Sequence, residues 1–152
     1  MNGFRILLAI GLIFFLIGCT PETDTSQNDN NNVNFTNISA KRSIDQSVSN
    51  MAKQSLKPYK ELKSINAVNV GENLIIAVDV YQNERFGLAD IRKKLHKKME
   101  KAFPSHKVKL STDKKLIIEV DKLEKQIEEG NISREKLKKK VKHLVKLDNE
   151  QT

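Results

Sequence analysis

One apolar pattern occurs twice in this chain and limits its fold more than any other feature. Leu74-Ile75-Ile76-Ala77-Val78-Asp79 returns 42 residues later as Leu116-Ile117-Ile118-Glu119-Val120-Asp121, with five of six residues shared. Apolar side chains at every second position are the mark of a strand with one buried face. A helical pattern, a proline and a shorter strand pattern precede each copy. The first unit has a helix over about Ser43 to Lys57, with Ile44, Val48, Met51, Ala52 and Leu56 at helical spacing and Pro58 as its stop. Strands Ile65 to Val70 and Leu74 to Val80 follow, joined through Gly71-Glu72-Asn73. The second unit has a helix over Leu88 to Ala102, with Leu88, Ile91, Leu95, Met99 and Ala102 inward, and Pro104 as its stop. It continues into a strand with Val108 and Leu110, a turn near Thr112-Asp113-Lys114, and a strand with Leu116, Ile118 and Val120. Duplication accounts for the match most simply; coincidence between two amphipathic segments is the alternative.

The expected fold is therefore α+β, a duplicated helix-hairpin (αββαββ) two-layer sandwich over residues 41–121, with both helices on one sheet face. The other face, with Ile75, Ala77 and Ile117, is half apolar and needs a cover. Residues 122–152 form a basic helical extension that can supply it. A short helix through Leu123 and Ile127 should end at Gly130-Asn131, glycine being suited to a left-handed cap. Ser133 can N-cap a last helix with Leu137, Val141, Leu144 and Val145 on one side. Packing onto the domain is the favoured destination for this tail; projection as a basic arm is the other.

The start of the chain is of another kind. Ile6 to Ile17 run twelve residues without a charge, after Arg5 and directly before Gly18-Cys19. That is an export signal in outline and too short to span a bilayer unaided. Leu16-Ile17-Gly18-Cys19 resembles a bacterial lipobox, which implies a signal peptide over residues 1–18 and a diacylglyceryl group on Cys19. An uncleaved apolar anchor is the plainer reading, but Cys19 is the only cysteine of the chain and stands where the lipobox requires it. With Cys19 acylated no disulfide can form. Residues 19–40 read as a disordered tether, rich in asparagine, with Val33, Phe35 and Ile38 as the only sizeable hydrophobes of Thr20 to Ala40. As a flexible coil it would reach about 25 Å.

Charge is concentrated beyond the tether, where residues 41–152 hold 26 basic and 16 acidic side chains, a formal net charge of +10. Such a surface attracts anionic lipid, acidic cell-wall polymer or nucleic acid. Export argues against nucleic acid, and the aromatic platforms that bind single strands are missing. The candidate anionic-surface residues are Lys93, Lys94, Lys97, Lys98 and Lys101 on one helix and Lys138, Lys139, Lys140 and Lys142 on another. A solvated charged face explains the same runs without function. Catalytic residues, cofactors and metal ligands are not expected. His96, His106 and His143 lack partners at zinc-ligand spacing, and no phosphate loop or nucleophile elbow occurs. Asp79 and Asp121, equivalent in the repeat, would serve acid–base chemistry only by converging on one pocket; a structural role at strand ends is favoured.

Taken together, the lipobox, the Asn-rich tether and the helix-hairpin segments resemble the YhcN/YlaJ-type sporulation lipoproteins. The similarity runs from about Ile44 to Val120, through Ile65-Asn66-Ala67-Val68-Asn69-Val70, Leu74 to Val80, the lysine-rich helix with Pro104, and Val108-Lys109-Leu110-Ser111-Thr112-Asp113. Lys114 stands where similar sequences tend to have proline, and the basic tail is less typical. The resemblance implies a non-enzymatic lipoprotein made during sporulation, held at the inner spore membrane, affecting germination or outgrowth. Its expected partners are the membrane through Cys19, with anionic lipid, cell-wall polymer or another spore-envelope protein. A cell-envelope enzyme or an anionic-polymer binder is the competing reading.

Overall fold

The structure is a computed structural model that describes residues 44–150. The signal segment, Cys19 and the tether lie outside the described residues. Four helices and three strands follow in the order α1 (Ser47–Leu56), β1 (Leu62–Val70), β2 (Asn73–Val80), α2 (Leu88–Ala102), β3 (Lys107–Ser111), α3 (Lys114–Glu128) and α4 (Arg134–Glu150). A 3-10 turn, Gln82–Gly87, leads into α2.

β1 and β2 form the expected antiparallel hairpin, with Val70 opposite Asn73 and Val68 opposite Ile75. Gly71 has φ 58°, the left-handed conformation that a two-residue hairpin turn demands. β2 then crosses over through α2 and pairs with β3 in parallel, giving the sheet order β1-β2-β3. The central strand is buried on both faces from Leu74 to Val78. A continuous apolar run of this kind belongs to a sheet covered on both sides.

Two cores result. Ala52 and Leu56 of α1 and Leu95 and Met99 of α2 pack on Ile65, Ala67, Leu74, Ile76, Val78 and Leu110. On the opposite face Leu116, Val120, Leu123 and Ile127 of α3, with Leu137, Val141 and Leu144 of α4, cover Val68, Val70, Ile75 and Ala77. The molecule is a three-layer α/β/α sandwich, still α+β in class. The tail packs as the favoured reading has it. Gly130, at φ 72°, ends α3 in a Schellman cap, with Asn131 N–H bonded to Gln126 C=O at 2.8 Å and Gly130 N–H to Ile127 C=O at 3.0 Å. Ser133 Oγ accepts the Lys136 N–H at the start of α4.

The duplicated αββαββ arrangement is corrected here, because the second copy of the repeat is helical. Leu116 to Asp121 lie in α3, so the second hairpin is absent from the described residues. Asp113 caps the helix, its Oδ1 accepting the Leu116 N–H at 2.9 Å. No glycine or proline interrupts residues 114–128, and the buried positions Leu116, Val120, Leu123 and Ile127 keep a helical period that outlasts the six-residue alternation. Ile118, inward in a strand, is instead 53% exposed.

This assignment is open to a direct check. Ile118→Lys should change stability by less than about 0.5 kcal/mol, whereas Val120→Ala should cost about 1–3 kcal/mol and Leu137→Ala about 2–5 kcal/mol in chemical denaturation. Equal losses at residues 118 and 120 would restore the strand.

Candidate functional site

The two lysine clusters fall on different outer layers. On α2, Lys93, Lys94, Lys97, Lys98 and Lys101 are all exposed. Lys94 and Lys98 straddle the Tyr59 ring at 4.9 and 4.6 Å, Lys94 reaches Glu61 at 3.5 Å, and Lys98 donates to the Ser55 carbonyl. These two fasten α2 to the α1–β1 connection, while Lys93, Lys97 and Lys101 face solvent. On α4, Lys138, Lys139 and Lys142 are exposed, and half-buried Lys140 donates to Gln126 Oε1 of α3 at 3.1 Å. Since α2 and α4 cover opposite faces of the sheet, the clusters point away from each other. No single flat surface can meet both.

α3 differs from its neighbours by carrying its own counter-charges. Glu119 pairs with Lys122 at 2.8 Å and Asp121 with Lys125 at 2.7 Å. The Lys122 hydrogen bond holds the Glu119 carboxyl below its usual pKa, and the Asp121 hydrogen bond raises that of the Lys125 ammonium. α3 thus adds no net positive charge, with four lysines against four acidic residues over 114–128.

The aspartates of the repeat do not share an environment. Asp79 accepts both from its neighbour Val80 N–H and from Lys114 Nζ at 2.8 Å, and Asp121 pairs along its own helix. The histidines are separate too. His96 is half-buried with Nε2 3.2 Å from the Val108 carbonyl. His106 meets Phe103 edge to face, and His143 is exposed on α4. Among the described residues no group of three or more His, Cys, Asp or Glu side chains could hold a metal ion.

Sequence reading missed the polar seam along the free edge of β1. The Lys53 side chain is fully buried and bonds Glu124 Oε1 at 2.7 Å. Glu124, 5% exposed, also accepts the Ala67 N–H at 3.0 Å and Asn66 Nδ2 at 2.8 Å. Two residues on, Gln46 pairs with the Asn69 backbone as a neighbouring strand would. Its Oε1 accepts the Asn69 N–H at 3.0 Å and its Nε2 donates to the Asn69 carbonyl at 2.7 Å. Asn69 Oδ1 in turn accepts the Ser49 N–H at the start of α1, and Asp45, just before it, accepts the Ser47 N–H, which lowers its carboxyl pKa. A signal for the pair was present: Lys53 and Glu124 each occupy a core position of an amphipathic stripe, with Ser49, Ala52 and Leu56 on one helix and Val120, Leu123 and Ile127 on the other.

Removing one partner of a buried ion pair typically costs about 3–5 kcal/mol. Lys53→Met should destabilise the fold by that amount in chemical denaturation. Adding Glu124→Gln should recover part of the loss, because an amide oxygen can still accept the Ala67 N–H. Recovery by Glu124→Leu instead would show that the strand edge does not need the acceptor.

Among the described residues no helix is long and apolar enough to cross a membrane. Neither a curated protein nor a solved structure matches the chain. The family model described as sporulation lipoprotein YhcN/YlaJ matches residues 19–146. The match starts at Cys19 and runs beyond Val120, the limit of the resemblance visible in the sequence, through α3 and into α4. The chain belongs to the sporulation lipoprotein YhcN/YlaJ family, with the membrane-associated, sporulation-related role that this membership carries.

Proposed function

We propose that the protein is a non-enzymatic interaction module, tethered through diacylglyceryl-Cys19 to the outer face of the cell membrane and, in the spore, to the inner spore membrane. The observation that carries this reading is the start of the family match at Cys19, directly after the apolar run and Gly18. Two acyl chains suffice for stable attachment without a spanning helix. Residues 20–43 then join the anchor to the domain, which works within reach of the lipid surface.

Its two basic faces divide the work. The α2 face lies against anionic lipid, and the α4 face is left for cell-wall polymer or another spore-envelope protein. The choice of α2 for lipid rests on Phe86, which is fully exposed beside Arg85 just ahead of that helix. An aromatic ring next to cations suits the head-group boundary. Through such contacts the protein would influence germination or outgrowth.

Anchorage is tested by Cys19→Ala, which should abolish lipid labelling and cleavage before residue 19; unchanged labelling would refute it. Docking is tested with unacylated residues 19–152 on phosphatidylglycerol and phosphatidylcholine vesicles. Lys97→Glu with Lys101→Glu should remove at least about 2 kcal/mol of binding to the anionic vesicles, roughly thirtyfold. Lys138→Glu with Lys139→Glu should leave it unchanged. No preference for anionic vesicles would exclude lipid docking, and a dominant effect of the α4 pair would reverse the assignment of faces.

A further inference from the structure

Among the described residues three large hydrophobic side chains are exposed: Met51, Phe86 and Ile118. Two of them stand at opposite ends of α2. Phe86 precedes the helix, and Met51 lies beside its last turn, in a groove of about 600 Å³ lined by Asn50, Met51, Gln54 and Ser55 of α1 and by Ala102 and Phe103 where α2 ends. Fifteen residues of helix separate the two sites, about 22 Å along the axis. The exposed lysines Lys93, Lys97 and Lys101 fall between them in sequence.

The chemistry of the groove is divided. Its lining carries no charged side chain, and Met51, 52% exposed, with Ala102 and half-buried Phe103 supplies its apolar part. Cations stand at its margin. Lys98 donates to the carbonyl of Ser55, one of the lining residues, at 3.3 Å, and Lys101 is the exposed neighbour of Ala102. An ammonium has three donors, so Lys98 can hold this carbonyl and still meet an anionic oxygen. Apolar surface beside an ammonium rim fits an anionic phospholipid, whose chains are apolar and whose head group carries the charge.

We propose that this groove receives the upper part of an acyl chain of an anionic phospholipid at the bilayer surface, with the phosphate at Lys98 and Lys101. Met51, Ala102 and Phe103 thereby enter the boundary between head groups and chains. The inference rests on the reading that the α2 face meets lipid, and adds to it an apolar contact that charge does not supply. Attraction between lysines and head groups is screened by salt, whereas burial of Met51 is not. The domain should therefore keep part of its hold on anionic vesicles in salt that removes the lysine contribution.

The test uses unacylated residues 19–152, which contain no tryptophan, and phosphatidylglycerol vesicles with bromine on the acyl chains. The single tryptophan of Met51→Trp should be quenched by the bromine, while that of Ile118→Trp, similarly exposed but on the other side of the sheet, should not. Met51→Gln, which alters no charge and lies outside the cores, should weaken vesicle binding at high salt about fivefold or more. Preference for phosphatidylglycerol over phosphatidylcholine with no quenching at residue 51 would overturn the proposal and leave the docking of α2 in place. Binding to neither vesicle would overturn both. Self-association lost in Met51→Gln with vesicle binding unchanged would give the groove to a second copy of the chain instead.

Discussion

Glu124 joins three elements through one carboxylate: Lys53 of α1, and the Ala67 N–H and Asn66 side chain of β1, all reached from α3. Burying either charge alone would cost several kcal/mol, and the pair is tolerable only because its remaining hydrogen-bonding capacity is used. Among the described residues no buried side-chain nitrogen or oxygen lacks a partner. Apolar surface by itself is indifferent to small slips of a helix over a sheet. This arrangement is not, since a shift of α3 by one turn would leave both Lys53 and the Ala67 N–H unmatched. The seam thus fixes where the outer layers sit on the sheet and closes an edge that would otherwise invite pairing.

Function follows from what that arrangement leaves on the outside. α1 and α2 are held to one side of the sheet and α3 and α4 to the other, so the cations of α2 and α4 are turned apart by the fold itself. α3 balances its own charges. A family defined as sporulation lipoproteins supplies the remaining constraint, a membrane. The described domain carries two opposed basic faces on its outer layers.

The first hairpin, α2 within its full bounds, β3 and the cap at Gly130 were legible from local rules, and the tail takes the favoured of the two destinations left open for it. Those rules work where a pattern is long or a stop signal strong. They failed at Leu116 to Asp121, where six residues satisfy both a strand and a helical period. The choice was made by the Asp113 cap and by Leu123 and Ile127 beyond the window. The repeat was therefore a resemblance between a strand and a helix. The seam stayed hidden for another reason: Lys53 and Glu124 are 71 residues apart, and pairing at that distance is a property of the fold. Met51 was counted inward and is 52% exposed, while Lys53 holds the place beside Ala52.

The central claim is that side chains take the place of a neighbouring strand along β1, at the Ala67 N–H and the Asn69 backbone. Residue-resolved amide exchange on the mature chain tests it directly. Ala67 and Asn69, although on an edge strand, should be protected nearly as well as the hydrogen-bonded Val68. Fast exchange at Ala67 and Asn69 would contradict the account.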